Sequence, residues 1–273
     1  MALENTVKRV LVSIVAIPLI LFVSYLGSFF FFSFVLAIAL ISFYEFSNLA
    51  KSKGAYTNLW IGFTALILLL INQFNYIFET YSFLLFLLIA LTLIELFRNK
   101  NSAIMNIGST LLGIFYIGLF ASSLIGIREF YPSIGDLYSR GGYIIISIFI
   151  SIWICDSAAF FCGTSLGKHK LFPRVSPNKS WEGAIFGFIF AIISMILLKF
   201  VILEFLSWSS VIVFGIVVGT IGQFGDLVES LIKRDAGVKD SSNLIPGHGG
   251  IFDRFDSLLY TAPVILLYLK YIS

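Results

Sequence analysis

The chain has 273 residues, of which 59% are hydrophobic and 12% charged, with a formal net charge of +3 and a mean hydropathy of +0.98. Soluble domains carry about a quarter of their residues as charges. The composition therefore excludes a water-soluble globular domain, gives no reason to invoke nucleic acid as a partner, and predicts an all-α, polytopic membrane protein.

A membrane-crossing helix needs roughly 20 mainly apolar residues, and nine apolar runs are available: near 10 to 26, 29 to 44, 59 to 77, 81 to 97, 104 to 127, 142 to 162, 183 to 203, 208 to 227 and 257 to 272. The first run follows Lys8 and Arg9 but leads into no small-residue cleavage pattern, so it reads as an uncleaved span. The third and fourth runs share the polar break Asn72 to Thr80. Residues 1–140 form an N-terminal set of transmembrane helices, and residues 141–273 a C-terminal region that holds the chemistry. Cys155 and Cys162 fall on the sixth run, seven residues apart. That spacing separates them by about 10 Å on a helix, too far for a disulfide, and no CxxC or neighbouring His suggests a metal, so both read as small apolar filler.

The cations are unevenly spread. With nine spans and a cytoplasmic N-terminus, one face collects 14 of the 18 Lys and Arg residues, leaving Arg128, Arg140, Lys199 and Lys270 at the other. The positive-inside rule then places the N-terminus and the 14 cations in the cytoplasm, on a face that attracts anionic headgroups and polyphosphates.

Two connections on that face concentrate the polar chemistry. The first spans residues 151 to 183. Asp156 lies inside the sixth run, where a carboxylate is functional by default and a packing role is the lesser reading. Gly163 to Lys170 fails the P-loop pattern, because its glycines are four apart and neither Ser nor Thr follows Lys168. Ser180 is placed to cap the seventh helix, although Gly183 stands where a capping box needs Glu or Gln. Free N–H groups at that helix start, with Lys179 beside them, form a candidate phosphate pocket. Lys168, Lys170 and Arg174 fit equally well as juxtamembrane lysines and arginine that only set topology.

The second connection, residues 226 to 256, holds ten of the 33 charged side chains, together with His248. If the eighth helix continues through Arg234, then Asp226, Glu229 and Lys233 lie along one face. After a loop with Gly237, Pro246, Gly247, Gly249 and Gly250, Asp253 and Asp256 open the ninth helix, again on one face. First-turn acids that merely favour the helix dipole would account for one of these two. They would not account for the carboxylates, glycines, His248 and lysines together. Carboxylates mixed with Lys and Arg suit phosphoryl or nucleotidyl transfer, in which cations neutralise charge developing on the phosphates. Mg²⁺ binds through one or two carboxylates plus substrate phosphates, and two ions about 4 Å apart would clamp the entering and leaving oxygens.

The run Ser230-x-x-Lys233-Arg234-x4-Lys239-Asp240-x5-Pro246-x-His248-Gly249-Gly250-x-x-Asp253-Arg254-x-Asp256 resembles the signature of the phosphatidate cytidylyltransferases, the CDP-diacylglycerol synthases. The Asp156 region and Ser176-Pro177-x-Lys179-Ser180-x-Glu182-Gly183 are also similar to motifs of that family. The resemblance implies an inner-membrane enzyme with nine spans that converts CTP and phosphatidate into CDP-diacylglycerol and pyrophosphate with Mg²⁺, Asp226 and Asp253 matching the metal-binding aspartates. Candidate catalytic residues are Asp226, Asp253, Lys233, Arg234, Lys239, Asp240, His248, Arg254 and Asp256. Candidate substrate-binding residues are Lys179, Ser180, Glu182, Asp156, Lys168 and Ser230. Asp256 and Asp156 are alternative or outer metal ligands, Lys233, Arg234, Lys239 and Lys179 neutralise phosphates, and His248 and Arg254 either bind pyrophosphate or complete the loop. Expected partners are CTP, phosphatidate and membrane lipids, with one or two bound cations, and a homodimer left open. Two alternatives stand beside this reading: a CTP-dependent polyprenol kinase, and a secondary transporter built on broken helices.

Overall fold

The structure is a computed structural model that describes residues 2–245 and 249–272, with side chains from residue 10 onward. Lys8, Arg9, Pro246, Gly247 and His248 thus lie outside the described residues or side chains. The chain folds into helices α1 (Ala2–Leu26), α2 (Ser28–Ser52), α3 (Leu59–Asn75), α4 (Thr80–Arg98), α5 (Ala103–Arg128), α6 (Leu137–Leu166), α7 (Trp181–Lys199), α8 (Trp208–Asp235) and α9 (Phe252–Tyr271). Each apolar run read from the sequence lies largely on one of them. Among the described residues six helices, α2 and α4 to α8, are long and apolar enough to cross a membrane. The apolar stretches Val10–Leu26 and Leu59–Asn75 are shorter, and α9 opens with the charged turn Asp253, Arg254 and Asp256. The protein is a multi-pass membrane protein.

The distribution of apolar side chains is that of a lipid-solvated bundle. Phe31, Phe43, Leu66, Ile117, Ile145, Phe214 and Leu259 are buried where helices meet, while Trp60, Phe86, Phe97, Ile104 and Phe160 are exposed on its outside. So much exposed apolar surface would drive a soluble protein to aggregate, but hydrocarbon solvates it. With little hydrophobic force between helices in lipid, polar bonds and close contacts hold them together. Ser194 Oγ donates to Ser151 Oγ at 2.7 Å, joining α7 to α6.

One buried cation joins three helices. Arg128, at the end of α5, is fully buried. Its Nε and Nη2 donate to Ser24 O and Tyr25 O, both at 2.7 Å, and its Nη1 to Tyr138 O at 3.1 Å. Ser24 O and Tyr25 O are among the carbonyls that the last turn of α1 leaves without helical partners, and a cation there also meets the negative end of the dipole. Arg140 stacks over Tyr131 and Phe205, and Lys199 donates to Glu204 O. These three cations gather at one end of the bundle, and Lys179, Lys233, Arg234 and Arg254 at the other.

At that second end the structure adds an element that the all-α expectation lacked. Residues after α6 form an antiparallel hairpin of β1 (Lys170–Phe172) and β2 (Ser176–Ser180), with Lys170 opposite Ser180 and Phe172 opposite Ser176. Strands of three and five residues are too short to show alternation in sequence. The hairpin is fixed at its base instead. Trp181 N donates to His169 O at 2.9 Å, and the Glu182 carboxylate accepts from His169 N and lies 2.6 Å from its Nδ1.

Candidate active site

The site is built from the second half of α8, the start of α9 and the end of the hairpin. Within α8 the π-helical stretch Val218–Gly222 adds a residue to the turn just before Asp226, a device frequent near functional sites. Gln223 Nε2 braces it by donating to Ala184 O at 3.0 Å and Gly219 O at 2.6 Å. Beyond this point the helix is amphipathic. Asp226, Glu229 and Lys233 share the inner face, as their spacing predicts, with Glu229 fully buried and Lys233 nearly so. Asp235 points away and pairs with Lys53 at 3.4 Å, both side chains well exposed.

Lys233 is the hinge of the charge arrangement. Its Nζ lies 2.7 Å from Glu229 Oε2, one turn back on α8, and 2.6 Å from Asp253 Oδ1 at the start of α9. The other oxygen of Asp253 accepts from Ser241 N at 2.9 Å, Ser241 Oγ at 2.9 Å and Gly250 N at 2.7 Å. Asp253 therefore ties the signature loop to Lys233. Gly249 stands in this loop with φ +82, a left-handed conformation that favours glycine.

Lys179, at the end of β2, reaches across to form an ion pair with Asp226. Ser230 Oγ donates to Asp226 Oδ1 at 3.3 Å. Asp256, buried on α9, accepts from Ser257 N at 2.5 Å. One carboxylate oxygen from each of Asp226, Glu229 and Asp256 lies within 4.8 Å of the other two, the one group of this kind among the described residues.

The cluster opens on a cavity of about 430 Å³. One wall is polar, with Asp156, Asp226, Lys233, Asp253, Arg254 and Asp256; the other is the apolar face of α1, with Val12, Ala16, Ile17 and Ile20. Asp156, set on α6, faces the same space.

The remaining predicted residues fall outside this centre. Ser180 caps α7 by accepting from Gly183 N at 3.2 Å, and Glu182 holds His169. Arg234 donates to Val175 O at 3.2 Å and Val238 O at 3.0 Å, so it braces the hairpin and loop against α8. Lys168, Lys239 and Asp240 are exposed, and His248 lies outside the described residues. Two carboxylates absent from the sequence-based candidates are central. Glu229 was legible as the residue three after Asp226 and four before Lys233. Glu45 on α2, buried at 2% exposure, accepts from the signature loop, and its only signal was a lone acid next to an apolar run.

The donor set fits a divalent cation. Asp156, Asp226, Glu229, Asp253 and Asp256 face Lys179, Lys233 and Arg254, five formal negative charges against three positive. Neither oxygen of Glu229 receives a hydrogen bond among the described residues, the Lys233 ammonium being close but outside hydrogen-bond geometry. A buried carboxylate without such partners is costly, and hard oxygen ligands in excess of cations are what Mg²⁺ requires.

Comparison with known proteins places the chain. Residues 7–272 match the Cytidylyltransferase family. The chain is 33% identical over 264 residues to the phosphatidate cytidylyltransferase of Staphylococcus haemolyticus, covering 94% of this chain and 96% of that protein. It is 34% identical over 292 aligned positions, with the same coverage, to the phosphatidate cytidylyltransferase of Haemophilus influenzae. Over 141 residues, half of this chain and 54% of the relative, identity to the enzyme of the same name from Staphylococcus saprophyticus reaches 42%. The chain belongs to the cytidylyltransferase family.

If the carboxylate cluster holds a divalent cation, Mg²⁺ should raise the melting midpoint of the purified protein in detergent, with about 1.4 kcal/mol of stabilisation at ten times Kd. The combined change Asp226→Asn and Asp256→Asn should abolish the Mg²⁺-dependent rise, while Asp235→Asn should retain it. A full rise in the double variant would remove the cation from this cluster.

Proposed function

We propose that this chain transfers the cytidylyl group of CTP to phosphatidate, forming CDP-diacylglycerol and pyrophosphate. The cavity carries the reading: it sets phosphate-binding charge against an apolar α1 wall, and so suits a substrate that is anionic at one end and hydrocarbon at the other. The kinship with proteins named phosphatidate cytidylyltransferase supports the same substrates.

A phosphate oxygen of phosphatidate attacks the α-phosphorus of CTP. A new P–O bond forms, the bond from the α-phosphorus to the bridging oxygen breaks, and pyrophosphate departs with that oxygen. No protein nucleophile or base is required, because the phosphomonoester is already an anion near neutral pH. The chain's task is to bring together two groups that repel. Lys179 and Lys233, which pair with Asp226 and Asp253 before substrate arrives, exchange these partners for substrate phosphates. Arg254, on the cavity wall, adds a third cation for pyrophosphate. Asp226, Glu229 and Asp256 would hold Mg²⁺, with Asp253 beside them on α9. Such an ion would supply positive charge against the phosphates. Ser241 and Gly250 keep Asp253 oriented, while α1 shields the acyl chains from water.

CTP labelled in turn at the α- and γ-phosphates separates transfer of the nucleotide from transfer of a phosphate. With phosphatidate as acceptor, the α-label should enter the lipid phase and the γ-label remain in water as pyrophosphate. A γ-label in the lipid would identify a lipid kinase and contradict the proposal.

The same reading places nine spans in a cell's inner membrane, with the N-terminus and the site in the cytoplasm. The polarised cations support it, Arg128, Arg140 and Lys199 lying at the end of the bundle away from the site. A cysteine at the exposed Asn243, with Cys155 and Cys162 replaced, should react with an impermeant thiol reagent only from the cytoplasmic side. Labelling from outside intact cells would reverse the orientation.

A further inference from the structure

Glu45 lies on α2, about 200 residues before the signature loop, yet four donors of that loop converge on it. Oε1 accepts from Ser242 Oγ at 2.5 Å and Ile251 N at 3.1 Å. Oε2 accepts from Ser241 Oγ at 3.0 Å and Phe252 N at 2.8 Å. Four donors fill the acceptor sites of one carboxylate. Ile251 and Phe252 are the residues at the start of α9, whose first N–H groups lack helical partners, and the residue preceding α9 supplies no side-chain cap. Glu45 thus caps α9 from another helix, where a negative charge also meets the positive end of the dipole. Gly250 permits the approach, since a Cβ there would overlap both the Glu45 carboxylate and Ser241 Oγ.

The contacts continue into the site. Ser241 Oγ, which has a single proton to donate, lies between Glu45 and Asp253, 2.9 Å from Asp253 Oδ2. Asp253 holds Lys233, and Lys233 lies against Glu229. Glu45 therefore grips the loop on one side and Asp253 grips it on the other.

We propose that Glu45 is a positioning residue for nucleotidyl transfer: it fixes the loop and the start of α9, so that Asp253 presents Lys233 to the carboxylate cluster. This makes α2, in the half of the chain without the signature, a working part of the site. The inference rests on the proposed reaction for its kinetic part only.

The test is Glu45→Gln, which keeps the size but replaces one acceptor oxygen with an NH₂ donor facing N–H and O–H donors. Glu95→Gln is the control: Glu95 is also buried and accepts from Asn106 Nδ2 at 2.6 Å and Arg98 Nη1 at 3.2 Å, away from the cluster. Glu45→Gln should lower kcat at least tenfold per folded molecule, leave KM for CTP within about threefold, and raise amide hydrogen exchange across residues 241–252. Glu95→Gln should leave kcat within twofold and exchange in that segment unchanged. If Glu45→Gln does not fold, Ser242→Ala, which removes one Glu45 donor, should show the same pattern at about threefold in kcat. Equal kcat in the Glu45 and Glu95 variants, or unchanged exchange over 241–252 in the Glu45 or Ser242 variant, overturns the proposal. Should the unaltered protein fail to transfer cytidylyl groups, the functional reading falls, and exchange alone still decides whether Glu45 positions the loop.

Discussion

Five carboxylates share a site with three cations in a protein that lipid surrounds, and the C-terminal half of the structure answers that imbalance. A charge transferred into hydrocarbon costs on the order of 3 kcal/mol or more, so such a cluster persists only if water, cations or phosphate-bound metal satisfy it. Lys233 does the largest share within the protein, touching Glu229 on its own helix and Asp253 on the next. Lys179 answers Asp226 from a hairpin 47 residues earlier in the chain. In the proposed reaction both ammonium groups exchange a carboxylate for a phosphate, an exchange that costs less than desolvating a free lysine.

The rest of the fold places these groups. The π-helical stretch in α8 precedes Asp226 and so sets which face the later residues of that helix present. The hairpin, locked by His169 and Glu182, delivers Lys179. Arg128 holds the far end of α1 to α5 and α6, which leaves the other end of α1 as the apolar wall of the cavity. An amphiphile's two solvents are thus brought to one space by elements from both halves of the chain.

Much of this was legible in the sequence. The nine apolar runs mark the nine helices because long apolar stretches leave a strong compositional trace, although among the described residues six of these helices are long and apolar enough to cross a membrane, and the i, i+3, i+7 spacing put Asp226, Glu229 and Lys233 on one face. The resemblance carried by the Ser230 to Asp256 run identified the family. What stayed hidden depends on contacts between distant segments. Arg234 reads as a phosphate ligand by charge, whereas in the fold it donates to the carbonyls of Val175 and Val238. Asp253 and Asp226 read as an equal pair, whereas Asp253 is held by Lys233 and loop amides, and Glu229 and Asp256 stand closer to Asp226. The short hairpin gave too few residues for a periodic signal, and Glu45 was one acid among phenylalanines, with donors some 200 residues away.

The most direct measurement is pyrophosphate release from CTP by the purified protein in detergent, with Mg²⁺ present, with and without phosphatidate. Release that requires phosphatidate and disappears when the cation is chelated is the predicted result. Release at the same rate without phosphatidate, or undiminished after chelation, would contradict a site whose carboxylates and lysines join a lipid phosphate to CTP through a bound cation.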